Sequence, residues 1–206
     1  MPVHDDEEKP MASEDQNPIR IQLKRIKDWR LPDGARSCAR PQLFGNPYAI
    51  GAKDGLVREP AADMVTPWEY EDRCSSPGIQ HDMHWPSGQV TVHHVRHMTR
   101  QESIATHRRA LIAPTSSLRI FHQRRRQYVD VALVRRELAG LNLACFCRLD
   151  QACHVDTLLW VANAPEVEIK QAAEDEYQII REMAERVVAL HPELLCAAPN
   201  FGRGAS

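Results

Sequence analysis

The sequence predicts an α/β fold built on a small, mostly parallel sheet with flanking helices, followed by an amphipathic carboxyl-terminal helix. Three stretches carry that expectation. Ile19-Arg20-Ile21-Gln22-Leu23 alternates apolar and polar side chains with the two-residue period of a strand that buries one face. Leu141 to Phe146 is a short apolar run that passes through a polar turn, Arg148 to Ala152, into a helical pattern at Leu158, Leu159, Val161 and Ala162. Ile169, Ala173, Tyr177, Ile180, Ala184 and Val187 recur at intervals of three or four, with Glu and Arg between them, as on one face of a helix of about 20 residues. Strands that run directly into helices suit an open sheet, so the expected layout is Rossmann-like.

Residues 1–18 are acidic, polar and Pro-rich with almost no large apolar side chains; they cannot repay the entropy of ordering and read as a disordered tail. After the first strand, Lys24, Arg25 and Lys27 form a basic group that is either a solvated strand end or a phosphate contact. Leu31-Pro32-Asp33-Gly34 is a turn by composition. In the loop that follows, Arg40 to Tyr48, Pro41 and Pro47 forbid regular structure, Gly45 permits close backbone approach and Asn46 can bond through its amide. That loop either covers a sheet edge or presents Arg40 and Asn46 to a ligand.

Residues 55–98 contain Pro60, Pro67, Pro77-Gly78 and Pro86-Ser87-Gly88, with Gln89 to His93 as the only strand-like run. His81, His84, His93, His94 and His97 fall here, and the expectation is a His-rich loop insertion on the surface. A second metal site through His81 and His84, or His93 and His97, is the alternative, but these spacings lack the acidic or cysteine partners of a specific zinc motif.

Thr99-Arg100-Gln101-Glu102 is a capping box, and it opens a helix carrying Ile104, Ala105, Ala110 and Leu111 that Pro114 stops. Ser116 to His122 reads as a connection. Arg124-Arg125-Arg126 precedes Val129, Leu133, Val134 and Leu138 at helical spacing, with Gly140 at the helix end. Those arginines read as a solvated helix face or as an anion contact. Pro165 suits the start of the last helix. The α/β domain is therefore expected over 19–163, with a helix and tail over 164–206.

A chain of 206 residues, 43% hydrophobic and 26% charged, can bury one substantial core. The formal net charge of -2 gives no global field for nucleic acid or membrane, so only local basic clusters bear on either. No apolar run approaches the roughly 20 residues that span a bilayer, and the acidic start lacks the basic-then-apolar order of a secretory signal. A cytoplasmic location is expected. There the six cysteines are expected to be free thiols, metal ligands or catalytic groups rather than disulfides.

Chemistry concentrates between Leu141 and Asn163. Cys145 and Cys147, two apart on a strand, share a face, and Cys153 and His154 follow at the start of the next helix. Zinc is the cofactor that a tetrahedral set of Cys145, Cys147, Cys153 and His154 would imply. Neighbouring helical residues point about 100 degrees apart, so Cys153 and His154 can both ligate only if they precede the first regular turn. In the second reading the same junction is an active-site crevice without metal. Cys153 or Cys147 is then a nucleophile, His154 an acid or base and Asp156 its orienting partner, beside a helix amino terminus that favours anions. Small core cysteines are the third reading.

Leu138 to Asn163, LAGLNLACFCRLDQACHVDTLLWVAN, resembles the carboxyl-terminal signature of the bacterial and phage family known as domain of unknown function 4326: Cys-Trp-Cys, a short turn, Cys-His-x-Asp and an Ala-Asn ending. Arg40-Pro41 with Phe44-Gly45-Asn46-Pro47-Tyr48 is similar to that family's Arg-Pro and Trp-Gly-Asn-Pro-Phe element, and the segment from Ile19 to Ala35 resembles its start. Phe146 and Phe44 stand where the family has Trp, the middle is longer, and the last helix lies outside the resemblance. The resemblance groups Arg40, Asn46, Cys145, Cys147, Cys153, His154 and Asp156 into one site without naming a reaction.

The expected function is a small enzyme that binds or processes a nucleotide, nucleoside or related phosphorylated ligand. Arg40, Asn46 and Cys147 would hold the ligand, and Cys153, His154 and Asp156 would supply reactive groups. The alternative is a zinc-stabilised module, associated with nucleic acid or accessory to a phage, without catalysis. In the composite site the Arg40 to Tyr48 loop should meet the cysteine stretch, with Asn46 near His154.

Overall fold

The computed structural model describes residues 17–71 and 75–195; the expected amino-terminal tail falls almost wholly outside them, as do Cys74 and Cys196. Three short strands form a parallel sheet in the order β1 (Arg20–Gln22), β9 (Asn142–Cys145), β2 (Ala35–Ser37). Ile21 lies beside Ala144 and Arg36 beside Leu143, which places the last strand in sequence at the centre. Leu143 and Ala144 are fully buried there, so the apolar run read from the sequence is apolar because both faces of β9 are covered.

Helix α3 (His154–Asn163) packs directly on that sheet, and α1 (Arg100–Ile112) packs on α3. Helix α1 begins with the predicted capping box: the Thr99 hydroxyl accepts from the Glu102 amide and the Glu102 carboxylate accepts from the Thr99 amide. Within the sheet α3 meets β9 and β1, and it also packs on α2 (Val131–Leu138). Leu111, Val134, Leu138, Leu143, Val155, Leu158 and Val161 make the shared core. Helix α4 (Glu166–Leu190) lies against α1 through the predicted apolar stripe, with Ile169 buried and Ala173 and Tyr177 packed behind it.

Two expectations are corrected. Among the described residues the parallel sheet is only one of three, so the fold is mixed α/β rather than mostly parallel. Residues 55–98 are not a loop insertion: β3 (Leu56–Glu59), β4 (Glu69–Tyr70), β5 (Gln80–His84) and β6 (Val90–His97) form an antiparallel sheet in the order β4-β3-β6-β5. The reason lies in an inverted pattern. On β6, Thr91 and His93 point inward while Val90 and Val92 are exposed, so hydropathy does not mark the buried face. Hydrogen bonds make that inversion tolerable: Trp85 Nε1 donates to the Thr91 hydroxyl, which donates to His93 Nε2, and His93 Nδ1 donates to the Pro60 carbonyl at 2.7 Å.

The arginine run also differs from its helical expectation. Strands β7 (Ile120–His122) and β8 (Gln127–Val129) form a hairpin, and Gln123–Arg125 is its 3₁₀ turn, closed by Arg126 in the left-handed region at φ 50°. Val129 ends β8. Helix α2 starts only after Asp130, whose carboxylate accepts from the Leu133 amide at 2.7 Å.

Candidate functional site

Cys145 is the last residue of β9, and the chain then turns through Cys147 to Ala152 before α3 begins. Cys153 is the helix N-cap, with extended backbone angles of φ -144° and ψ 145°, and His154 is the first helical residue. This removes the geometric objection to their acting together, because Cys153 is not bound by the helical period. Its Sγ lies 3.6 Å from His154 Nδ1. One donor atom from each of Cys145, Cys153 and His154 lies within 4.8 Å of the others, and all three residues are buried.

The imidazole is fixed from behind. His154 Nε2 lies 2.9 Å from the Cys38 carbonyl oxygen, which can only accept, so Nε2 donates there and Nδ1 is the ring atom turned toward Cys153. His107 of α1 closes the other side, its ring edge-on to His154 with centroids 5.3 Å apart. Burial, and secondarily the nearby His154, pushes the His107 pKa well below the ordinary value, so this ring is neutral.

The two buried thiols are shifted in opposite directions. The hydrogen bond from Cys153, together with His154 and the Cys147 backbone, pulls the Cys145 thiol down despite burial, and the same bond pushes Cys153 up. Cys147, half-buried, sits 3.7 Å from Cys145 Sγ and receives Arg100 Nη1 at 3.6 Å. Cys38 is a core thiol, raised to about 12 chiefly by burial.

The loop from Arg40 to Tyr48 meets this cluster. Leu43, Phe44 and Tyr48 are buried and anchor it. Gly45 is required there, since a Cβ would come within 2.9 Å of the Arg40 backbone nitrogen. Asn46 donates to the Ser103 hydroxyl at 3.0 Å and accepts from the Tyr48 amide at 2.9 Å, while the Ser103 hydroxyl donates to the Tyr48 carbonyl. The Asn46 amide thus ties the loop to α1. Arg40, Asn46, Cys147, Cys153 and His154 all line one cavity of about 470 Å³, with Cys145 on its wall.

Asp156 stands apart. It lies outside that cavity, and its carboxylate pairs with Arg20 Nη1 at 2.6 Å and accepts from the Cys153 amide at 3.2 Å. It therefore positions the Cys153 turn, in place of the expected role of orienting His154. Sequence reading missed Arg20, whose Nη2 also donates to the carbonyls of Leu149 and Gln151 at 2.7 and 2.9 Å. Its signal was only a polar position in an alternating strand. Arg100, Ser103 and His107 were missed because the capping box locates the start of α1 but not the face it turns to the cysteines. The histidines of 55–98 do not join the site: among the described residues, Cys145, Cys153 and His154 form the only group of three or more metal-type donors.

A family model described as a domain of unknown function (DUF4326) matches residues 21–164. The chain belongs to the DUF4326 family. The matched span runs from β1 to the C-cap of α3, so the DUF4326 domain holds every residue of the cavity cluster and leaves α4 as an addition. No curated protein and no solved structure matches the chain. No helix among the described residues is long and apolar enough to cross a membrane.

Proposed function

We propose that this DUF4326 protein is a small enzyme that binds and processes a nucleotide, nucleoside or related phosphorylated ligand in the cavity above Cys145, Cys153 and His154. One observation carries the reading: Arg25, Arg40, Arg100 and Arg148 line the same cavity as that cluster. Guanidinium groups on a cavity wall favour phosphate through charge-assisted and bidentate hydrogen bonds, although Arg148 already pairs with Asp150, Arg100 contacts Cys147 and Arg25 lies over the Phe146 ring. The cavity is of the size that small ligands occupy. The start of α3, Cys153 and His154, lines the cavity, and the positive end of that helix dipole adds to the attraction for anions.

In this reading Arg40 and Arg100 hold the anionic part of the ligand, and Cys153 and His154 face its reacting portion. The reading includes a Rossmann-like placement, with the ligand beyond the carboxyl-terminal ends of the parallel strands. A cytoplasmic location fits the free state of Cys38, Cys145, Cys147 and Cys153. The test is calorimetric binding of nucleoside mono- and diphosphates and of inorganic phosphate. Arg40→Ala should weaken binding of the responsive ligand at least about tenfold, the equivalent of one charge-assisted hydrogen bond. Unchanged binding and turnover after alanine replacement of Cys153 and of His154 would reject the reading.

The approach of three metal-type donors favours a second reading, a zinc-stabilised module that associates with nucleic acid or serves a phage without catalysis. Here Arg124 to Arg126, at the hairpin turn, would supply the nucleic-acid contact. It predicts that chelation unfolds the chain and that no small phosphorylated ligand binds.

A further inference from the structure

We infer that Cys145, Cys153 and His154 hold one zinc-class divalent ion through three protein ligands, with its fourth position open to the arginine-lined cavity. The open position rests on the enzyme reading above; the three-ligand set does not. Zinc bonds of about 2.3 Å to sulfur and about 2.0 Å to nitrogen imply tetrahedral edges of roughly 3.8 Å between sulfurs and roughly 3.6 Å between sulfur and nitrogen. The Cys153 Sγ to His154 Nδ1 separation of 3.6 Å meets the second value, and the mutual limit of 4.8 Å leaves Cys145 within a rotamer adjustment of the first.

Orientation supports the same assignment. The Cys38 carbonyl fixes the proton on His154 Nε2, the outer-sphere arrangement that aims Nδ1 at a metal and sets its tautomer. Cys145 is set by the end of a central strand and Cys153 by an N-cap that the Arg20–Asp156 pair locks, so the donors come from rigid elements. Thiolate and imidazole donors suit zinc rather than calcium or magnesium, which prefer oxygen.

The number of ligands follows from Cys147. It lies 3.7 Å from Cys145 Sγ but outside the mutually close group, and its sulfur receives Arg100. A closed structural site would need that sulfur turned inward. With Cys147 left beside Arg100, the remaining coordination position faces the cavity, as in zinc sites that act on substrate. Two thiolates cancel the charge of the ion, so the arginines still present net positive charge to an anion. An ion so placed supplies Lewis-acid polarisation of a ligand oxygen.

Cobalt(II) titration of the chelator-treated full chain, followed by absorption spectroscopy, tests this. The expected result is about one equivalent bound, with thiolate-to-cobalt charge-transfer bands and the d–d bands of a tetrahedral centre, displaced by zinc. Cys145→Ser, Cys153→Ser and His154→Gln should each weaken uptake at least about tenfold, Cys147→Ser by less than about threefold, and azide or inorganic phosphate should shift the d–d bands. Absence of uptake by the wild-type chain overturns the site, whatever the variants do. Loss on Cys147→Ser equal to that on Cys153→Ser, or bands insensitive to both anions, overturns the open three-ligand assignment. Cobalt binding without arginine-dependent binding of any phosphorylated ligand keeps the three-ligand set and removes the enzyme reading. Ligand binding without cobalt uptake does the reverse.

Discussion

Arg20 and Asp156, 136 residues apart in sequence, meet at 2.6 Å and fasten the first strand to the N-terminal turn of α3. Arg20 is the buried partner, 10% exposed at its side chain against 54% for Asp156. Its second amino group spans the carbonyls of Leu149 and Gln151, so one guanidinium closes the turn that delivers Cys153. Arg20→Ala leaves those acceptors and the Asp156 carboxylate without their cation, and should destabilise the chain by about 1.5–3 kcal/mol. The same change should speed alkylation of Cys153 in the folded protein. Asp156→Ala should cost about 1 kcal/mol, as loss of a helix cap does. Urea unfolding and thiol labelling measure both; a change in turnover at unaltered stability and labelling would return Asp156 to a direct chemical role.

Asn46 and Ser103 make a second tie, between the Arg40 to Tyr48 loop and α1. Because the Ser103 hydroxyl also donates to the Tyr48 carbonyl, the two side chains share one network. Asn46→Ala and Ser103→Ala should each cost about 1–2 kcal/mol, and the double mutant should cost less than their sum. If Asn46 instead binds ligand directly, Asn46→Ala will weaken binding while Ser103→Ala leaves it unchanged. Calorimetry on the single variants separates the two roles.

The cavity cluster was legible because its residue types are chemically unusual and close in sequence: Cys145, Cys147, Cys153 and His154 announce themselves without any tertiary information. Helices α1 and α4 were legible through a capping box and a long apolar period, both of them local signals. What stayed hidden depends on pairing across distance. Arg20 looks like any polar strand residue until β1 is set beside β9. The sheet of residues 55–98 was hidden because His93 and Thr91 occupy its buried face while valines face solvent, a pattern that only their hydrogen-bond partners explain.

The junction between that sheet and α1 carries a pH-dependent contact. Arg96 holds the Glu102 carboxylate with two bonds of 2.8 Å, and the Thr99 amide adds a third. The Arg96 pair is the main cause that lowers Glu102 from an ordinary 4.5 to about 2, against the opposing effect of burial. A carboxyl depressed in the folded state contributes stability that is fully present above its unfolded pKa and is lost as pH falls through the folded value. The contribution should therefore be intact at pH 6 and decline between about pH 4.5 and pH 2. Glu102→Gln should lower the urea midpoint at pH 6 and flatten its fall below pH 4.5, measured against the parent chain.

His93 distinguishes a sheet core from a histidine-rich metal site. It is fully buried, flanked by the Thr91 hydroxyl at 2.8 Å and the Pro60 carbonyl at 2.7 Å, with both ring nitrogens engaged. A metal would have to displace one of those bonds within the core. His93→Ala leaves a cavity and two unsatisfied groups, and should destabilise the chain by about 2–4 kcal/mol. Uptake of cobalt at the cysteine cluster should stay near that of the parent chain under conditions where the variant remains folded. Loss of one bound equivalent in His93→Ala, with Cys145 and Cys153 intact, would move the metal centre from the end of β9 to the antiparallel sheet.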